Sequence, residues 1–247
     1  MSYLIHLPHC GLKIPNQFLN DYYLPEKELQ NNIYEYCDIY TDELFDSMFN
    51  KFGGVKNEYS RLFFDPERFS DDTQEEMYKK YRLGWFYENA IIDKKPLRKL
   101  DNKDIIKKYY DEHHKQLDNL TQQKLDIFNR CTIIDCHSFS DKEYWFLNKA
   151  SDFPDICIGY EEYHMDKNLI EIIKEEFSEY KIGLNTPYDG SLVPMKYWHK
   201  DNRVKSVMIE INKRIYTEHD NKTKSKNFII MKNKIDNILN KITNQRS

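Results

Sequence analysis

The sequence predicts an α/β domain, and two observations carry the prediction. Short apolar, β-branched runs alternate with amphipathic helical stretches along the 247 residues. One run, Thr132-Ile133-Ile134-Asp135-Cys136-His137-Ser138, ends abruptly in acid, thiol, imidazole and hydroxyl. The end of such a strand is where an open α/β sheet usually carries its site. Alternate side chains of a strand share a face, so Asp135 and His137 are expected together and Cys136 opposite. An aspartate two residues before a histidine can orient the imidazole. The competing reading is a satisfied histidine at a strand end.

The elements follow in order. Tyr3 to Leu7 reads as a first strand, broken by Pro8, with His9 on the loop Pro8-His9-Cys10-Gly11. From Glu28 to Phe52, Ile33, Tyr36, Cys37, Tyr40, Leu44, Met48 and Phe52 recur at helical steps, and Gly53-Gly54 ends the run. On one such helix Asp38 and Asp42 share a face. Val55 to Asp65 reads as one or two strands, with Arg61 and Arg68 around Leu62-Phe63-Phe64 and Pro66 as the stop. Residues 70–100 form a polar excursion with inserted aromatics at Tyr81, Trp85, Phe86 and Tyr87. A helix is predicted over Lys103 to Phe128, its inner face marked by Ile106, Tyr109, Tyr110, His113, Leu117, Leu120 and Phe128. His113 and His114 are neighbours about 100° apart on that helix and form no metal pair. After the central run come a strand at Asp155 to Gly159, a helix over Asn168 to Tyr180 and an edge strand at Lys181 to Leu184. The turn-rich loop Asn185 to Ser191 precedes a last strand, Ser206 to Asn212, and a Lys-rich helix over Ser225 to Ile242. Glu210 interrupts that last apolar strand, and a carboxylate there needs a partner or a task. By parity it shares a face with Met208 and Asn212.

Composition narrows the function. Thirty-seven basic against 41 acidic residues give a net charge of −4, which argues against a general nucleic-acid or membrane-surface binder. Aromatics at 15% argue against disorder. Five cysteines, an odd number without a CxxC, point to free thiols in a reducing compartment. No apolar run approaches the ~18 residues of a membrane span. The expectation is a soluble, cytoplasmic protein.

Two imidazoles leaving separate strands, His9 and His137, together with acids on the intervening helix, have the ligand types of a catalytic zinc site. A late carboxylate such as Glu210 can serve as general base. The motifs in order are Pro8-His9-Cys10-Gly11, Asp38 to Phe45, Ser60-Arg61 to Arg68, His113 to Leu117, Asp135-Cys136-His137-Ser138, Asn185 to Ser191, and Glu210 with Arg214-Ile215-Tyr216. As a set they resemble the N-formylglutamate amidohydrolases, whose pattern they follow over nearly the whole chain.

The resemblance implies a three-layer α/β/α fold with a mixed central sheet, similar to zinc carboxypeptidases and aspartoacylases. It implies one amidohydrolase-like domain over residues 1–247, with a lid or excursion around 70–100. It further implies one zinc ion on His9, His137 and Asp38, with Asp42 as the fallback third ligand. Glu210 is then the general base, and Arg61 and Arg68 hold the substrate carboxylate or polarise the scissile carbonyl. Asn185, Tyr188 and Gly190 belong to the substrate loop, and His114 supports the site from behind. The implied reaction is hydrolysis of the amide bond of a small N-acyl amino acid such as N-formylglutamate. Alternatives are a zinc carboxypeptidase or peptidoglycan-type amidase on the same scaffold, a degenerate binding protein, or a Cys10 or Cys136 nucleophile. Four positions depart from the pattern: Cys10 stands for the usual serine, Glu67 for an asparagine, and Val193-Pro194 for Thr-Arg.

Overall fold

The computed structural model describes residues 1–91, 94–141 and 152–244. It comprises six strands, β1 (Tyr3–Leu7), β2 (Gly54–Lys56), β3 (Cys131–Phe139), β4 (Ile156–Gly159), β5 (Ile182–Leu184) and β6 (Val204–Asn212). The eight α-helices are α1 (Glu26–Tyr36), α2 (Thr41–Leu44), α3 (Asp46–Phe52), α4 (Glu76–Tyr81), α5 (Lys103–Phe128), α6 (Lys167–Glu176), α7 (Lys213–Tyr216) and α8 (Phe228–Asn244). They group into two compact units, one of residues 1–7, 39–55 and 117–247, the other of residues 8–38 and 56–116.

The first unit holds the sheet, ordered β2-β1-β3-β6-β4-β5. β1, β3 and β6 run parallel, β4 is antiparallel to β6, and β5 is parallel to β4. It is therefore the mixed sheet expected. β3 is central because it can be: all nine of its residues are buried, and each fully buried Ile contributes roughly 1.5–3 kcal/mol. One sheet face packs Leu4, Ile133 and Val204 against Leu117 and Leu125 of α5, with Val193 and Tyr197 in the same cluster. On the other face Tyr3 meets Phe52 of α3 at 5.2 Å, and α8 packs on both α3 and α6. Helices thus cover both faces. Gly54 has no alternative, since a Cβ there would lie 1.9 Å from the Ile5 carbonyl oxygen.

The second unit is built on aromatics. Phe18, Tyr59, Phe63 and Tyr109 stack with ring centroids 5.2–6.2 Å apart. Trp85, Phe86 and Tyr87, from the predicted excursion, are buried. No helix among the described residues is long and apolar enough to cross a membrane.

Three expectations are corrected. The helix predicted from Glu28 to Phe52 is three helices. Asp38 donates its backbone N–H to the His9 carbonyl (2.9 Å) instead of to the preceding helical turn, and Tyr40 is left-handed at φ 65°. Asp38 and Asp42 are therefore not an i, i+4 pair on one helix. The strand expected through Asp65 stops at Lys56. Ser60 accepts the N–H groups of Phe63 and Phe64 on its carbonyl and that of Leu62 on its hydroxyl, which winds the apolar triplet into a turn. A short apolar run buried all round has no period to tell turn from strand. Finally, Leu125, not Phe128, closes the inner face of α5, Phe128 being 40% exposed.

Candidate active site

In the first unit, register sets the geometry. His6 lies opposite Asp135, and His137 opposite Glu210. Parity puts all four on the face that carries Leu4, Ile133 and Val204, toward the C-terminal ends of three parallel strands. Cys136 faces the other way, and Glu210 shares its face with Met208 and Asn212, as expected from the sequence. His137 is not beyond the strand, however: β3 continues to Phe139.

Asp135 is fully buried and ties this group together. Its Oδ1 is 2.8 Å from His6 Nδ1 and 3.2 Å from His137 Nε2, and its Oδ2 accepts the Leu192 N–H at 3.1 Å. Burial raises the cost of its charge, but the two imidazoles, His137 foremost, more than offset this and hold the carboxyl well below the usual range. Glu210 is 6% exposed and opposes Cys157 across the antiparallel pair. Burial, and then the charge of Glu210, push the Cys157 thiol up to about 12.

The second unit carries a histidine–carboxylate group of its own. His9 Nε2 meets Asp65 Oδ1 at 2.7 Å, while its Nδ1 lies 3.7 Å from Asp38 Oδ2. That second separation is too long for a hydrogen bond. It is close to the about 3.3 Å between two ligand atoms on one tetrahedral zinc, so an imidazole nitrogen and a carboxylate oxygen here suit a shared cation. Gly11 follows where the loop presses on Glu58; a Cβ would lie 2.3 Å from that backbone.

Asp65 is the hub of this group. Its Oδ2 accepts from Arg61 Nη2 (2.8 Å), Arg61 Nε (3.3 Å) and the Tyr87 hydroxyl (2.5 Å). Burial acts against its charge, yet Arg61, His9 and Arg68 hold it well below the ordinary carboxylate range. Burial pushes the Tyr87 hydroxyl up to about 12. Arg61 is thus committed to an ion pair with a buried carboxylate. Arg68 differs: half-buried, it has a buried Nε without a hydrogen-bond partner among the described residues.

The remaining motif residues have structural duties. Asn185 clamps its loop, accepting the Tyr160 N–H at 2.8 Å and donating to the Tyr160 carbonyl at 3.0 Å. Tyr188 accepts the Cys157 thiol on its carbonyl, and its ring lies 5.8 Å from Phe139. The carbonyl of Gly190 faces Gly159 so closely that a Cβ there would come within 2.2 Å. Arg214 binds Asp141 and Asp155, and Tyr216 donates to the Ile39 carbonyl. Val193 fills the sheet's apolar cluster. Asp42 is half-buried on α2. The His114 ring stacks on Tyr110 at 4.3 Å. All five cysteines are free thiols, four of them buried.

Sequence reasoning missed His6, Asp65 and Tyr87. His6 carried the signal used for Glu210, a polar residue in an apolar strand at the right parity. Asp65 was visible four residues after Arg61 and just before Pro66. Tyr87 was hidden among aromatics of the same type.

Comparison with known proteins bears on the fold and the family. A crystal structure of N-formylglutamate amidohydrolase from Ralstonia eutropha superposes with a TM-score of 0.83 at 18% identity, covering 98% of this chain and 92% of that one. A gene product of Agrobacterium tumefaciens gives 0.63 at 15% identity, with the same coverage. No curated protein matches in sequence. These likenesses establish the α/β fold. The sequence model of the N-formylglutamate amidohydrolases matches residues 1–217. The chain therefore belongs to the N-formylglutamate amidohydrolase family, hydrolases that act on a C–N bond.

Proposed function

We propose that this chain hydrolyses the amide bond of N-formylglutamate or a closely similar N-acyl amino acid, with one zinc ion held by His9, Asp38 and His137. Family membership supports the reaction. The ligand set rests on the family's motif positions and on the chemistry of each group. His9 Nδ1 and Asp38 Oδ2 lie at a separation suited to a shared cation, and His137 Nε2 lies 3.2 Å from the buried Asp135 carboxylate, the kind of group that usually stands beside a metal-binding histidine. When bound, zinc lowers the pKa of a coordinated water toward about 7 and polarises a carbonyl.

The chain's own residues do the rest. Glu210, nearly buried on an otherwise apolar strand, takes the proton of the attacking water and returns it to the leaving amine. Asp135 keeps the His137 ring in place. Asn185, Tyr188 and Gly190 line the substrate loop.

The observation that carries the substrate assignment is Arg68. A guanidinium whose buried Nε finds no acceptor among the described residues is ready to take a carboxylate through its planar fork. Arg61, committed to Asp65, serves the scaffold and the local positive charge.

The test is a substrate panel on purified, zinc-supplemented protein: N-formylglutamate, N-formylglutamine, N-formylalanine and short peptides. Formate release should be fastest from N-formylglutamate. Peptide cleavage without deformylation would replace this reading with a carboxypeptidase-like one.

A further inference from the structure

We propose that Asp65 is a positioning residue that holds His9 in one tautomer, with the proton on Nε2 and the Nδ1 lone pair turned toward Asp38. The inference rests on the reading of His9 and Asp38 as metal ligands, but its evidence lies in the hydrogen bonds around Asp65.

Those bonds place one ring proton, the one on Nε2. Asp65 Oδ2 receives two guanidinium N–H groups of Arg61 and the Tyr87 hydroxyl, and Oδ1 receives the Glu67 backbone N–H at 2.9 Å. Guanidinium and backbone N–H groups can only donate, and a carboxylate paired with a guanidinium can only accept. The remaining contact on Oδ1, His9 Nε2 at 2.7 Å, is therefore a donation from the imidazole. In the neutral ring that a metal requires, a donor at Nε2 makes Nδ1 the acceptor. Its neighbour is Asp38 Oδ2 at 3.7 Å, and Asp38 is itself fixed by its backbone bond to the His9 carbonyl.

Asp65 is in turn braced. Arg98, 2% exposed, donates from Nε to the Tyr87 carbonyl (3.1 Å) and from Nη1 to the Phe63 carbonyl (2.9 Å). Its guanidinium lies 3.5 Å over the Phe86 ring. Tyr87 is thereby locked, and its hydroxyl fixes Oδ2 while Oδ1 orients the imidazole. A carboxylate behind a metal-binding histidine sets both ring orientation and tautomer.

The test has two readouts. In metal-free protein labelled with 15N-histidine, a long-range 1H–15N spectrum, with His9 assigned by its absence in His9→Gln, should show pyrrole-type Nε2 and pyridine-type Nδ1. In Asp65→Asn the two tautomers should mix. Zinc affinity, measured against a competing chelator, should fall by roughly 10–100-fold. Tyr87→Phe keeps the carboxylate and should keep the tautomer while weakening zinc by only a few-fold; it serves if Asp65→Asn does not fold. An Nδ1–H tautomer or an imidazolium in the wild type overturns the proposal, as does an Asp65→Asn protein with unchanged spectrum and affinity. A wild type that shows the expected tautomer but binds no zinc overturns the ligand reading and leaves this assignment standing.

Discussion

Replacing Arg68 by lysine separates the two arginines that the sequence treats alike. Arg61 gives both Nε and Nη2 to Asp65, whereas the Arg68 Nε is buried without an acceptor among the described residues. If Arg68 receives the substrate carboxylate through two parallel bonds, lysine keeps the charge and loses one of them. A hydrogen bond to a charged group contributes about 1.5–3 kcal/mol, and about 1.4 kcal/mol is tenfold in affinity. KM for N-formylglutamate should therefore rise roughly 10- to 150-fold, with kcat within a few-fold of wild type. For N-formylglutamine, whose side chain lacks the acid, the change should be smaller if that acid is the group Arg68 holds. Steady-state formate release for both substrates gives the ratio. Arg61→Ala is the control. It leaves Asp65, which is fully buried, without its guanidinium, so it should cost about 3 kcal/mol in urea unfolding. Unchanged kinetics in Arg68→Lys would refute the assignment and make Arg68 a second scaffold cation.

Two further outcomes are expected. Glu210→Gln keeps shape and hydrogen bonding but removes the basic oxygen, so kcat should fall about 10²-fold or more with zinc content unchanged; zinc loss would make Glu210 a ligand instead. Native protein should expose one fast-reacting thiol to an aromatic disulfide reagent, that of the half-buried Cys10, because Cys37, Cys131, Cys136 and Cys157 are buried. Several fast thiols would show that the packing around β3 and β4 is looser than described.

Much of the first unit was legible because its strands obey simple rules. β3 and β6 are largely apolar runs with a few polar residues, and parity alone puts Asp135 and His137 on one face of β3; that Glu210 lies opposite His137 comes from the register between the strands. The edge position of β5 and the length of α5 followed from composition and period. The second unit was harder, because its order comes from long-range bonds that leave no period. The break at Asp38 depends on a carbonyl 29 positions earlier in the chain. The turn at Ser60 depends on its hydroxyl, which accepts the Leu62 N–H, and on its carbonyl, which accepts those of Phe63 and Phe64. The role of Asp65 was hidden because sequence spacing shows Arg61 four residues away but not Tyr87 or His9. Hydrogen bonds overrode the local apolar pattern in each case, distant ones at Asp38 and Asp65 and local ones at Ser60, and each override lies beside a candidate site residue.

The most direct measurement is zinc content by elemental analysis of purified wild type, His9→Ala and His137→Ala, each checked for native folding by circular dichroism. One zinc per wild-type chain, with most of it lost in both folded variants, is the predicted result. Full stoichiometric zinc in both variants would contradict the account, because neither histidine would then hold the metal on which the proposed hydrolysis depends.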